Sequence, residues 1–74
     1  MYLSVVIPAY NEEKRIGKTL SKTNGYLKKQ GYDFEIIVID DGSDDKTVDL
    51  SRTYSNEITN LVVIENKNNQ GKGY

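Results

Sequence analysis

Three short apolar runs stand out from a polar chain: residues 3–7 (LSVVI), 34–39 (FEIIVI) and 60–64 (NLVVI). Each is rich in β-branched residues and bounded by turn formers, which predicts buried strands. Pro8 has no amide hydrogen to give to a ladder, so it predicts the end of the first strand. Between the first two runs Ile16, Leu20, Thr23 and Leu27 recur every three or four positions, predicting a helix over residues 13–29. Glu12 and Glu13 at its start and Lys28 and Lys29 at its end suit the helix dipole. Gly25 weakens its second half by roughly 1 kcal/mol relative to alanine. Gly31 predicts its stop. A second helix is expected over residues 45–55, capped by Ser43 or Asp44, with Val48, Leu50 and Tyr54 as its apolar positions. Residues 65–70 read as a polar loop, and Gly71, Lys72 and Gly73 as the opening of a third helix.

The order β-α-β-α-β predicts an α/β fold: three parallel strands joined by right-handed crossovers. All three strand-end loops, residues 9–12, 40–44 and 66–72, then converge on one edge of the sheet. That edge is where α/β sheets bind ligands. Strands added in one direction place both helices on one face. Yet VVI, IIVI and LVVI are apolar on both faces, as in strands covered on both sides. A bare patch of roughly 400 Å² would leave about 10 kcal/mol of burial unmade. The pattern therefore predicts half of a Rossmann-like fold, its open face covered by further sequence or by a second copy in a homodimer.

Composition narrows the function classes. Seventy-four residues make one domain at most, residues 1–74. Cysteine and histidine are both absent, which removes disulfides, thiolate metal sites and the commonest general base. A net charge of −1 gives no footprint for nucleic acid. The start lacks a basic segment and Pro8 cuts its apolar run, so neither a signal peptide nor a membrane span is expected. The expected location is cytoplasmic, with the cytoplasmic face of a membrane open to a longer protein.

The second run ends in Asp40-Asp41-Gly42-Ser43, with Asp44 and Asp45 behind it. With Val5 through Glu12 (VVIPAYNE), then IVIDDGS followed by Asp45-Lys46-Thr47, and Asn69-Gln70-Gly71-Lys72-Gly73, the chain resembles the inverting family 2 glycosyltransferases of GT-A fold. The helix opening EEKRIGKTL and the strand FEIIVIDDGS are most similar to the branch that moves glucose or mannose onto dolichyl or other polyprenyl phosphates. The resemblance implies a UDP- or GDP-linked sugar donor. Pro8, Ala9, Tyr10 and Glu12 would wall the nucleoside, and Asp41, with Asp40, would take the base edge and ribose. Gly42 would allow the tight turn, and Lys72 would meet the diphosphate. The family's D-x-D motif, which holds a divalent Mg or Mn ion on the diphosphate, does not occur in this sequence. The catalytic base and acceptor site are expected beyond it. The chain is thus expected to hold the donor half of a transferase, inactive alone.

Blander readings compete at each position. Aspartates after a strand serve turns and caps, and Asp44 and Asp45 fit that role best. DDGSDD does not have the calcium-loop spacing, and Lys72 lacks the Walker pattern because position 66 is Asn. A receiver domain would carry its acidic pair on the first strand. A non-enzymatic module that self-associates through the open face is the main alternative.

Overall fold

Residues 2–66 are described by the computed structural model. Strands β1 (Tyr2–Ala9), β2 (Asp33–Asp40) and β3 (Leu61–Glu65) form one parallel sheet in the order β1-β2-β3. Helix α1 (Ile16–Gln30) links the first two. Helix α2 (Thr47–Thr53) and a 3-10 turn at Tyr54–Asn56 link the second and third. The α/β, parallel, half-Rossmann architecture is the one expected. Lys72 and the glycines beside it lie outside the described residues.

The alternation of each strand decides what it buries. Leu3, Val5, Ile7 and Ala9 of β1, Phe34, Ile36 and Val38 of β2, and Leu61 and Val63 of β3 pack on the helix side. There they meet Ile16, Leu20 and Leu27 of α1, Leu50 of α2, and Ile58 from the connection to β3. The opposite residues form two apolar rows by register, Val6-Ile37-Val62 and Pro8-Ile39-Ile64. Val6, Val62 and Ile64 stay 53%, 43% and 47% exposed. A third row is polar, where the Ser4 hydroxyl donates to Glu35. The open face is therefore apolar toward the carboxyl edge and polar toward the other.

Several boundaries differ from those predicted, each for a local reason. Pro8 lies inside β1, not at its end. Ala9 accepts the Asp41 N–H at 3.0 Å, so the polar groups of Ala9 face β2 and the nitrogen of Pro8 faces away from it. On an edge strand that missing donor costs nothing. Helix α1 begins at Ile16 rather than residue 13, because the Glu12 carbonyl accepts the N–H groups of both Arg15 (2.8 Å) and Ile16 (2.7 Å) in a preceding turn. Glu12 and Glu13 thus precede the helix. Its buried stripe includes Asn24 in place of Thr23. Gly25 does not interrupt it, and it closes where expected: Gly31 adopts φ 76°, its N–H reaching Lys28 O and that of Tyr32 reaching Leu27 O. That is a Schellman closure, which favours glycine at the left-handed position. Helix α2 starts at Thr47, with Asp45 rather than Ser43 or Asp44 accepting the Thr47 N–H, at 2.9 Å.

The two glycines inside α1 have opposite surroundings. A methyl group on Gly17 would overlap the Tyr54 hydroxyl, whereas one on Gly25 meets nothing within 4 Å. Gly25→Ala is expected to stabilise by about 0.5–1 kcal/mol through helix propensity. Gly17→Ala makes the same propensity gain but must displace the Tyr54 ring at about 1–3 kcal/mol, for a net loss of up to about 2 kcal/mol. Thermal melts of the two variants should move in opposite directions, by several degrees each.

Candidate functional site

The sheet ends at a row formed by Ala9, Asp40 and Glu65. The turns that follow β1 and β2 there are bonded to each other. The Asp40 carbonyl accepts the Asn66 N–H at 2.8 Å, which keeps Asn66 beside the end of β2.

Asp40 and Asp41 have different environments. The inward face of β2 carries Ile36, Val38 and then Asp40, which is fully buried. Its carboxylate accepts the Ser43 N–H at 2.9 Å and the Ser43 hydroxyl. Gly42, buried at φ 78°, makes the turn that brings Ser43 back over Asp40. Asp41 follows the last strand residue and is exposed, its backbone anchored on Ala9. The side chain in the fold's interior is thus Asp40, and the one at the rim is Asp41.

The loop after β1 is gripped from the β2 side at three successive residues. Asn11 adopts φ 50°, a left-handed conformation that asparagine tolerates better than most residues. Its N–H donates to the Ser43 hydroxyl oxygen at 2.8 Å, and its side-chain carbonyl accepts the Asp44 N–H at 2.8 Å. The Glu12 N–H donates to the Thr47 hydroxyl oxygen at 2.8 Å. The Glu13 N–H donates to Asp45 at 3.2 Å, and the Glu13 carboxylate accepts the Lys46 N–H at 3.2 Å. The Thr47 hydroxyl in turn donates to Asp45.

Asp45 therefore collects the Thr47 hydroxyl, the Thr47 N–H and the Glu13 N–H. The Thr47 hydroxyl is the main cause holding its carboxyl below the usual range; desolvation, the next largest, pulls the other way, and the backbone N–H groups of Thr47 and Glu13 add to the lowering. A carboxyl lowered by folding adds stability above its unfolded value of about 3.9, lost as pH falls through the folded value.

The residues expected to wall a nucleoside lie in different surroundings. Tyr10 is exposed at the rim, while the Ala9 side chain belongs to the core. Glu12 is half-buried and pairs with Arg15 at 2.9 Å. Pro8, Glu12 and Arg15, with Ile7, Ile16 and Thr19, line a hollow of about 240 Å³. Lys72 lies outside the described residues. Asn11 and Thr47 were not marked by sequence as site residues, and Ser43 and Asp45 only as caps. The readable signals were an asparagine after a strand and a hydroxyl residue two positions past an aspartate. A larger hollow, of about 650 Å³, opens at the other end of the sheet between Tyr2, Asn24, Tyr32, Phe34 and Asn60. Among the described residues there is no cluster of three or more carboxylates that could hold a metal ion, and no helix long and apolar enough to cross a membrane.

Residues 4–74 match the profile of glycosyl transferase family 2. The chain is similar to a dolichyl-phosphate beta-glucosyltransferase of Trichomonas vaginalis, 42% identical over 99% of this chain and 24% of that protein. The mouse dolichyl-phosphate beta-glucosyltransferase is 41% identical over 96% and 24%. A poly(ribitol-phosphate) beta-glucosyltransferase of Bacillus spizizenii is 42% identical over 96% and 11%. The chain thus spans about a quarter of the length of the dolichyl-phosphate relatives. None of these similarities supports a stand-alone non-enzymatic module.

Proposed function

The chain belongs to glycosyl transferase family 2, and on that premise we propose that it holds the nucleoside of a UDP- or GDP-linked sugar donor. The observation that carries this reading is the exposed Asp41 at the end of β2, its N–H on the Ala9 carbonyl at 3.0 Å, at the start of a turn bonded to the Tyr10–Glu12 loop. A carboxylate only accepts hydrogen bonds. Uracil and guanine each offer it a ring N–H. Cytosine and adenine offer a lone pair at the equivalent ring nitrogen, which repels it. Tyr10 supplies an aromatic surface for the base, and Glu12 an acceptor within reach of ribose hydroxyls.

The complete reaction in this proposal is hexosyl transfer. An acceptor oxygen attacks the anomeric carbon, the bond to the diphosphate breaks, and the nucleoside diphosphate leaves with inversion. Relatives named for dolichyl phosphate support glucose as the sugar and a polyprenyl phosphate as the acceptor. A divalent Mg or Mn ion on the diphosphate belongs to the same proposal, as does a contact from Lys72. No residue described here is assigned as metal ligand or catalytic base.

Titration of the isotope-labelled chain with UDP, GDP, CDP and ADP tests the reading. Saturable amide shifts at Tyr10, Glu12 and Asp41 are expected with UDP or GDP, and about tenfold weaker binding of CDP and ADP, the scale of one charged hydrogen bond. Equal response to all four, or none at millimolar nucleotide, contradicts it.

A further inference from the structure

The two loops at the carboxyl edge are joined by one device used twice. In each copy a carboxylate takes the only proton of a hydroxyl, so the hydroxyl oxygen is left as an acceptor for a backbone N–H across the gap. Asp40 takes the Ser43 proton, and Ser43 accepts from Asn11. Asp45 takes the Thr47 proton, and Thr47 accepts from Glu12. The two grips fall on consecutive residues of the loop that carries Tyr10 and Glu12. Thr47 is fully buried, although it opens α2 and would be expected at the surface.

Helix capping alone does not require this. The cap of α2 is met by the Asp45 carboxylate on the Thr47 N–H, without any hydroxyl on residue 47. The hydroxyl adds a second bond to the same carboxylate and, on its lone-pair side, accepts the Glu12 N–H. We infer that Thr47 is a positioning residue for the donor site: its Asp45-oriented hydroxyl fixes the backbone at Glu12, and with it the wall of the nucleoside pocket. The inference rests on the nucleotide-binding reading above and adds to it a residue 35 positions away in sequence. Arg15 takes part through its 2.9 Å pair with Glu12, which holds the side chain once the backbone is set.

Three variants test it: Thr47→Val, which keeps the shape and loses the hydroxyl, Thr47→Ser, which keeps the hydroxyl, and Asp45→Asn. Asparagine keeps an oxygen for the Thr47 hydroxyl but turns an NH2 toward the Glu13 N–H, two donors facing each other. The readouts are UDP and GDP affinity, hydrogen exchange at the Glu12 amide, and the amide spectrum of the sheet. Thr47→Val is expected to bind at least tenfold more weakly with faster exchange at Glu12 and an unchanged sheet, and Thr47→Ser to restore both within about threefold. Should Thr47→Val not fold, Thr47→Ala, which also removes the hydroxyl, carries the comparison, with a loss of about threefold or more expected. Wild-type affinity in folded Thr47→Val or, in its place, Thr47→Ala overturns the positioning role while leaving the binding reading intact. Asp45→Asn, which keeps an acceptor for the Thr47 hydroxyl, is expected to lose less than either. A wild-type chain that binds neither nucleotide removes the binding reading, and the positioning role with it.

Discussion

Asp40→Ala is expected to lower stability by about 3–5 kcal/mol, enough to unfold much of the chain at 25 °C. The side chain is fully buried and its carboxylate accepts both the N–H and the hydroxyl of Ser43. Removing the carboxylate leaves two donors of Ser43 without their acceptor, at about 1–3 kcal/mol each, besides the space left in the interior. A domain this small stands near the low end of the usual 5–15 kcal/mol. The damage also spreads, because the Ser43 hydroxyl loses its orientation and with it the hold on Asn11. Asp40→Asn should fall between: its oxygen can serve the Ser43 hydroxyl, but its NH2 then meets the Ser43 N–H. Urea denaturation followed by circular dichroism gives the midpoints. A change of under about 0.5 kcal/mol in Asp40→Ala, the range of surface substitutions, contradicts this role.

The neighbouring aspartate should behave in the opposite way. Asp41→Ala is expected to cost under about 1 kcal/mol, since the side chain is exposed, where even an ion pair contributes about 0–1 kcal/mol, and the N–H it anchors on Ala9 is backbone. Nucleotide affinity should instead fall by about 10–100-fold, the equivalent of one charged hydrogen bond at about 1.5–3 kcal/mol. Asp41→Asn keeps one acceptor oxygen and should lose less. Calorimetric titration with the preferred nucleotide measures the affinities, and melts on the same samples measure stability. An Asp41→Ala variant that melts early but binds normally would reverse the assignment of the two aspartates.

That division was partly legible in the sequence. Ile36 and Val38 set the inward parity of β2, and parity alone puts Asp40 on the buried side and Asp41 past the end of the strand. The β-branched runs gave the strands, and the crossover rule gave the edge on which their loops meet. Pro8 misled because its tolerance depends on β1 lying at the sheet edge, which strand order decides and local sequence does not. The start of α2 was ambiguous among Ser43, Asp44 and Asp45. The spacing of Asp45 to Thr47 resolves it, through a hydroxyl that bonds across to another loop. Ile58, buried to 1%, was invisible because Glu57, Thr59 and Asn60 surround it with polar residues. It enters the core only when its N–H closes on the Tyr54 carbonyl at 2.8 Å. Asn24 displaced Thr23 because spacings of three and four are both helical, and packing chooses between them.

The central claim is a location: the nucleoside sits on the carboxyl edge of the sheet, not in the larger hollow at the other end. Intermolecular nuclear Overhauser effects from the base and ribose protons of bound nucleotide to the labelled chain test it directly. The account predicts contacts to Tyr10, Asn11, Glu12, Asp41 and Gly42. Contacts instead to Tyr2, Tyr32 and Phe34, which line the opposite hollow, would contradict it.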